Sequence, residues 1–158
     1  MPGIAFYRPT TLYGRIISWF TRSPWCHVGI VHKVYGVTMV TQALVKQGVI
    51  PVPVSEYQKP DAVFDMPWID EEEATAWLMS RWSTPYSLWD VLGIVRFTLT
   101  HKAQKNRSGY ICSELAAYFL AFSIAGQNFP GGFQSKIGSI LDKPAQQVRP
   151  KDLADVLL

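Results

Sequence analysis

The segment CHVGIVHKVYGVTMVTQAL, residues 26–44, decides how this chain folds. Val and Ile crowd its first half, Tyr35-Gly36 supplies a two-residue turn, and the strand pattern then resumes to Leu44, so the segment reads as a β-hairpin. With Tyr35-Gly36 as the loop, Val34 pairs with Val37, His27 stands opposite Leu44, and Gly29 stands opposite Gln42. Gln42 then shares a face with His27, and diagonal neighbours of this kind lie about 7–8 Å apart at the backbone, within reach of a long amide side chain. Cys26 and His32 fall on the opposite face, where Cys26 is expected to pack in the sheet.

Working outward, Thr10 and Thr11 are candidate caps for a helix running to about Phe20, because Leu12, Ile16, Trp19 and Phe20 recur at helical spacing. Pro24 closes that unit. Residues 49–54 and 62–66 read as further short strands. Pro51 and Pro53 place the first of them at an edge or at a strand start. Asp70 followed by Glu73 resembles a capping box for a helix to about Trp82, and Pro85 ends that region. A helix is expected from Ser87 to about Phe97, then an exposed polar loop carrying His101, Lys102, Lys105 and Arg107. Cys112, Leu115, Ala116 and Phe119 fall on one face of a last apolar helix, which runs to about Ile124 and is stopped by Gly126. The expectation is an α+β fold, a small antiparallel sheet packed against helices, with Cys112 in the first turn of one of them.

The bulk composition sets outer limits. A chain of 158 residues, 48% hydrophobic and 17% charged, fits one globular domain over residues 1–158 and argues against disorder. Apolar runs are broken well short of about 18 residues, so no membrane-spanning helix is expected. The start, Met1 to Arg8, lacks the basic and apolar regions of a secretory signal. A net charge of +3 is too small to announce nucleic acid, although it mildly favours anionic surfaces. Two cysteines do not make a disulfide framework, and both read as free thiols. Three scattered histidines and two cysteines give no metal-ligand spacing, so neither metal nor cofactor is expected.

A lone cysteine is most often a small buried hydrophobe. The surroundings of Cys112 argue otherwise. It opens an apolar helix, whose N-terminus carries partial positive charge and unpaired N–H groups that stabilise a thiolate and can hold an oxyanion. His27 supplies a base, with Gly29 leaving room for a close approach. Gln42 is placed to accept the imidazole Nδ1 proton, which would leave Nε2 facing the thiol. Ser113 lacks the G-x-S-x-G elbow, and Glu114 suits the helix dipole.

Taken together, His27-Val28-Gly29-Ile30, Gln42-Ala43 with Gly48-Val49 behind it, Thr84-Pro85-Tyr86, Cys112-Ser113-Glu114-Leu115 and Arg149-Pro150-Lys151-Asp152-Leu153 resemble the permuted papain-like group of the NlpC-like superfamily, of the YiiX-like type. The motifs are short, and their order carries the weight, histidine before cysteine being the mark of the permutation. The resemblance spans nearly the whole chain. It implies Cys112 as nucleophile, His27 as general base and acid, and Gln42 as the third polar residue, where many relatives have Glu. Tyr86 resembles the family's tyrosine near the oxyanion pocket, though a core aromatic after a turn explains it nearly as well.

The activity so implied is a cysteine peptidase or amidase that cuts amide bonds in bacterial peptidoglycan. With no signal sequence visible, carriage on a phage tail or baseplate, and so in a virion, is the expected setting; otherwise the location is cytoplasmic. The alternatives are a lipid-directed acyl hydrolase or acyltransferase, anchored by the Lys102–Arg107 loop and exposed Trp, and a catalytically weak structural tail module.

Overall fold

A computed structural model describes residues 1–86, 110–125, 127 and 131–158. The expected helix beginning at Ser87, the polar loop after it and the stop at Gly126 lie outside the described residues.

The frame is a five-stranded antiparallel sheet in the order β4-β3-β2-β1-β5. Its strands are β1 (Gly3–Tyr7), β2 (His27–Val34), β3 (Val37–Leu44), β4 (Gly48–Pro53) and β5 (Ala62–Asp65). The hairpin forms as read. Tyr35 and Gly36 both take positive φ, 48° and 82°, the pattern of a type I′ turn whose twist matches the flanking strands. Val34 pairs with Val37, and the register continues to Ile30 opposite Thr41. There the pairing ends, short of the full register expected from the turn. The prolines of β4 lie on an edge strand, where a missing N–H costs nothing to the ladder.

Strand β1 was not expected from the sequence. It is buried along its whole length, flanked by β2 and β5. Strands covered on both faces show no polar alternation, so Ile4-Ala5-Phe6-Tyr7 offers only a short apolar run. One face of the sheet, with Ile4, Phe6, Val28, Ile30, Ala43 and Val49, joins the main core. The other carries Ala5, Tyr7 and Val40, with Val31, Val52, Val54 and Tyr57 against them.

The described residues hold five helices, α1 (Leu12–Thr21), α2 (Glu71–Met79), α3 (Cys112–Ile124), α4 (Gly131–Leu141) and α5 (Pro150–Leu157). Thr11 caps α1 by accepting from Gly14 N–H at 3.1 Å, and Asp70 caps α2 by accepting from Glu72 and Glu73. Helix α2 ends at Met79, three residues before the expected Trp82, and the chain turns at Ser83 with φ 65°. Helix α3 is more deeply buried than a one-faced helix: Ser113, Glu114, Leu115, Ala116, Ala117, Phe119, Leu120 and Ser123 are all covered. It packs on the Val28–Ile30 face of the sheet and against α4 and α5. Its second residue is tied down by a Ser113 hydroxyl bond to the Val148 carbonyl at 2.6 Å. In α5, Asp152 accepts from Arg149 through backbone and guanidinium and from Lys143 at 3.1 Å, closing the C-terminal end over α3.

Helix α1 differs from the others. Its apolar stripe points to solvent, with Leu12 76%, Ile16 46% and Trp19 74% exposed, while Gly14 is buried on the inner side. No helix among the described residues is long and apolar enough to cross a membrane.

Candidate active site

The hairpin register puts His27, Gly29 and Gln42 on one face of the sheet, and the side chains meet there. His27 Nε2 and Gln42 Oε1 are 2.7 Å apart. Gly29, beside them on this face, leaves room for Val40: a Cβ on it would lie 2.6 Å from Val40 Cγ2, and an ordinary 3.5 Å from Gln42 Cβ. The amide oxygen is an acceptor only, so Nε2 carries a proton and donates it to Gln42. Nδ1 is left for the thiol. The expected nitrogens are therefore exchanged, Nε2 to the amide and Nδ1 to the sulfur, because the imidazole leaves the strand end with its far nitrogen over β3.

Cys112 is the first residue of α3, and the His27 imidazole and the backbone N–H groups of Val28 and Ser113 lie beside its sulfur, where they favour the thiolate. The Ser113 N–H is one of the unpaired donors at a helix start. The Val28 N–H is available for a reason that lies in the sheet. Phe6, opposite Val28, accepts with its carbonyl from Asp61 N–H at 2.9 Å, so it faces β5 and away from β2. Phe6 and Val28 thus form a pair without mutual hydrogen bonds, and the Val28 N–H points toward β3. The β2–β3 ladder has already stopped at Ile30. The sulfur of Cys112 lies near the Val28 N–H.

Both titrations move in the direction of an ion pair. Burial opposes charge on His27, but the Cys112 sulfur and the bond to Gln42 outweigh it and raise the imidazole above its ordinary value. Burial likewise would raise Cys112, and the His27 charge and hydrogen bond, with the two backbone donors, bring the thiol below its ordinary value. Such a pair gains and loses its protons as a unit. The arrangement is chemically equipped to present a thiolate to an electrophilic carbon and to shuttle a proton at Nδ1.

Cys26 is a contrast within the same molecule. It lies just before β2 rather than packed within the sheet as expected, and its thiol donates to the Tyr7 carbonyl at 3.6 Å. A Cβ on Gly14 of α1 would come within 3.3 Å of its sulfur. Burial first, and the nearby Cys112 second, push its pKa up to about 11. His32 is on the opposite face from His27, fully buried, between Thr41 Oγ1 at 2.8 Å and Thr75 Oγ1 at 3.2 Å. Burial lowers its pKa to about 4, so it is a neutral structural histidine.

Tyr86 reaches the neighbourhood through its backbone. The chain after α2 is pinned to β4 by Val49 N–H to the Thr84 carbonyl at 2.8 Å and Ser83 N–H to the Val49 carbonyl at 2.9 Å. It then forms a parallel bridge between Tyr86 and Tyr110, two residues before Cys112. Gly48 is required there, because a Cβ would stand 2.3 Å from the Thr84 carbonyl oxygen. The Tyr86 ring packs against the main core.

Two tyrosines near His27 were not singled out in the sequence. Tyr7 sits opposite His27 on β1, its ring 5.6 Å from the imidazole, and Tyr57 meets Tyr7 edge to face at 5.5 Å. The Tyr7 hydroxyl and the Gln42 amide nitrogen are buried without a hydrogen bond of good geometry. Burial raises the Tyr57 pKa, and the Gln42 amide acts against it. Only recognition of β1 as a strand would have brought Tyr7 forward; nothing local marks Tyr57.

No group of three or more His, Cys, Asp or Glu among the described residues is arranged to hold a metal ion. No family model matches the chain, and no curated protein matches it. The site is thus defined by its own geometry, as a cysteine–histidine–glutamine constellation with the sulfur at a helix N-terminus.

Proposed function

We propose that this protein is a cysteine hydrolase of the permuted papain-like, NlpC-like kind, acting on amide bonds of bacterial peptidoglycan. One observation carries the reading: the Cys112 sulfur lies among the His27 imidazole and the N–H groups of Val28 and Ser113, with the far side of the imidazole held by Gln42 at 2.7 Å. In the proposed reaction the thiolate attacks the carbonyl carbon, and the carbonyl electron pair moves to oxygen, which the N–H groups of the first α3 turn stabilise. Collapse of this intermediate expels the amine, protonated from His27 Nδ1, and leaves a thioester on Cys112. Water then gives a proton to Nδ1 and attacks the thioester, releasing the acid and restoring the thiol. Tyr86, bridged to Tyr110 beside the helix start, is assigned to the wall of this pocket. A phage tail or baseplate is the setting in which such an enzyme meets the cell wall.

A second reading, hydrolysis or transfer of a lipid acyl group by the same thiol, is favoured by the exposed apolar stripe of α1, since that helix packs through Gly14 against Cys26. Mass spectrometry of soluble products from sacculi, treated with the wild type and with Cys112→Ala, tests the first reading. Muropeptide fragments that disappear with the substitution support it, and fragments that persist refute it. Fatty acid release from phospholipid vesicles, with no action on sacculi, transfers the same mechanism to the second. No Cys112-dependent turnover of either substrate would leave a structural tail module.

A further inference from the structure

Helix α1 presents its apolar side to solvent. Leu12, Ile16 and Trp19 follow each other at spacings of four and three, so they form one stripe, and they are 76%, 46% and 74% exposed. The helix is held to the body by its other side, where Gly14 is buried against Pro9 and Cys26 and the Ser18 hydroxyl donates to the Ser23 carbonyl. A surface helix ordinarily turns such a stripe inward. Here Gly14 and Ser18 face in.

Arginines outnumber acids around the stripe, where Asp61, whose carboxylate accepts from the Arg8 N–H at 2.7 Å, is the acidic group against this segment. Between residues 8 and 25 the charged side chains are Arg8, Arg15 and Arg22, and there is no Asp or Glu. All three arginines are exposed, and Arg8 lies over the Trp25 ring, 5.4 Å from its centroid. A tryptophan and two aliphatic residues rimmed by arginines match a bilayer interface, where apolar groups enter the acyl boundary and long cationic side chains reach the headgroups. Pairing of two copies through this face would bring six arginines together, which opposes self-association.

We infer that α1 docks the protein on an anionic phospholipid bilayer, with Leu12, Ile16 and Trp19 inserted and Arg8, Arg15 and Arg22 on the headgroups. Docking would hold the His27–Cys112 site near the membrane surface, because Cys26, one residue from His27, touches α1. The inference does not depend on catalysis, and its test reads binding alone.

The full chain is sedimented with vesicles of phosphatidylcholine containing about a third phosphatidylglycerol, and with vesicles of phosphatidylcholine only. Binding to the anionic vesicles, weakened by salt and much lower on neutral ones, is expected of the wild type. Arg15→Glu and Arg22→Glu should each weaken it about fivefold or more, the factor expected for a basic residue near an anionic surface. Leu12→Ser/Ile16→Ser/Trp19→Ser should lower it by about a hundredfold, as burial of side chains this size implies. Circular-dichroism melts separate lost docking from lost folding. Equal affinity for both vesicle types, or an anionic affinity untouched by the triple substitution in folded protein, would overturn the inference. So would a dimer broken by the triple substitution without vesicle binding. Absence of binding, with α1 protected from hydrogen exchange in the monomer, would show the face covered by the chain itself and equally overturn it.

Discussion

Gly29→Ala tests whether the space beside His27 is held open by a missing side chain. The new Cβ would stand 2.6 Å from Val40 Cγ2, a separation that real carbon atoms do not adopt, while its other neighbours, Gln42 Cβ and the Thr41 carbonyl oxygen, sit at an ordinary 3.5 Å. The whole conflict is therefore with Val40. That residue is fully buried between Ala5 and Tyr7, and a β-branched side chain has few alternative rotamers. Relief must come from β3 moving away or Val40 leaving its well, costs of about 1–3 kcal/mol for overpacking. Replacing glycine in a strand returns about 0.5–1 kcal/mol. The net loss is about 0–2.5 kcal/mol, a fall in Tm of up to about 10 °C for a chain of this size.

The decisive measurement is a double-mutant cycle with Val40→Ala. In that background the methyl added at position 29 has room, so Gly29→Ala should become neutral or stabilising, with a coupling of about 1–3 kcal/mol, the overpacking cost, in urea or thermal unfolding. Iodoacetamide labelling of Cys112 gives a second readout, since a displaced β3 carries Gln42 away from its 2.7 Å bond to His27. Labelling should slow in Gly29→Ala and recover in the double variant. Additive stabilities, with a coupling below about 0.5 kcal/mol, would refute the steric account of Gly29.

Four further outcomes follow from the titrating groups. Cys112 should label quickly at pH values below the ordinary thiol range, because His27 lowers its pKa; in His27→Ala burial remains without the imidazole, so labelling at neutral pH should fall at least about tenfold, and an unchanged rate would contradict the pairing. Cys26, pushed up to about 11, should stay slow in both proteins. His32 has a folded pKa of about 4 against an ordinary 6.5, so the unfolded chain binds the extra proton and stability should fall as pH drops from about 6.5 toward 4, by up to about 3 kcal/mol; His32→Gln should flatten that part of the curve in pH-dependent denaturation, and an equally steep curve would exclude His32 as its source. Gln42→Glu sets a carboxylate against Nε2, so the His27 ring should keep its charge to higher pH in an NMR titration, whereas an unmoved or lowered midpoint would mean that Gln42 does not meet the ring.

What the sequence made legible is what local pattern controls. Tyr35-Gly36 demanded a two-residue turn, the turn fixed the register, and the register carried Gln42 to His27. The start of α3 at Cys112 followed from the change to apolar helical spacing. Less could be read where burial erases pattern. Strand β1 is covered on both faces, so its alternation is missing, and with it went Tyr7. The spacing of Leu12, Ile16, Trp19 and Phe20 correctly announced a helix, but periodicity does not say which side meets the core; Gly14 and Ser18, through their small size, let the helix approach Cys26 and Ser23. Which imidazole nitrogen faces the thiol was also beyond pattern, since it depends on how the ring leaves the strand.

The donor from Val28 shows why the site has to be built from distant parts. A thiol at a helix start has donors of its own from the first turn, but no base. The base sits on a strand, and a strand in full register has no spare N–H to offer. Here the β2–β3 ladder stops at Ile30, while Phe6 is turned toward β5 by its bond to Asp61, so Val28 keeps a free donor beside the residue that carries the imidazole. Helix and sheet then complete each other: the Val28 N–H and the His27 imidazole both favour negative charge on the sulfur at the helix start. Any change that let β2 and β3 zip onward as far as Val28 would bury the donor in the ladder and leave Cys112 with His27 and the Ser113 N–H alone.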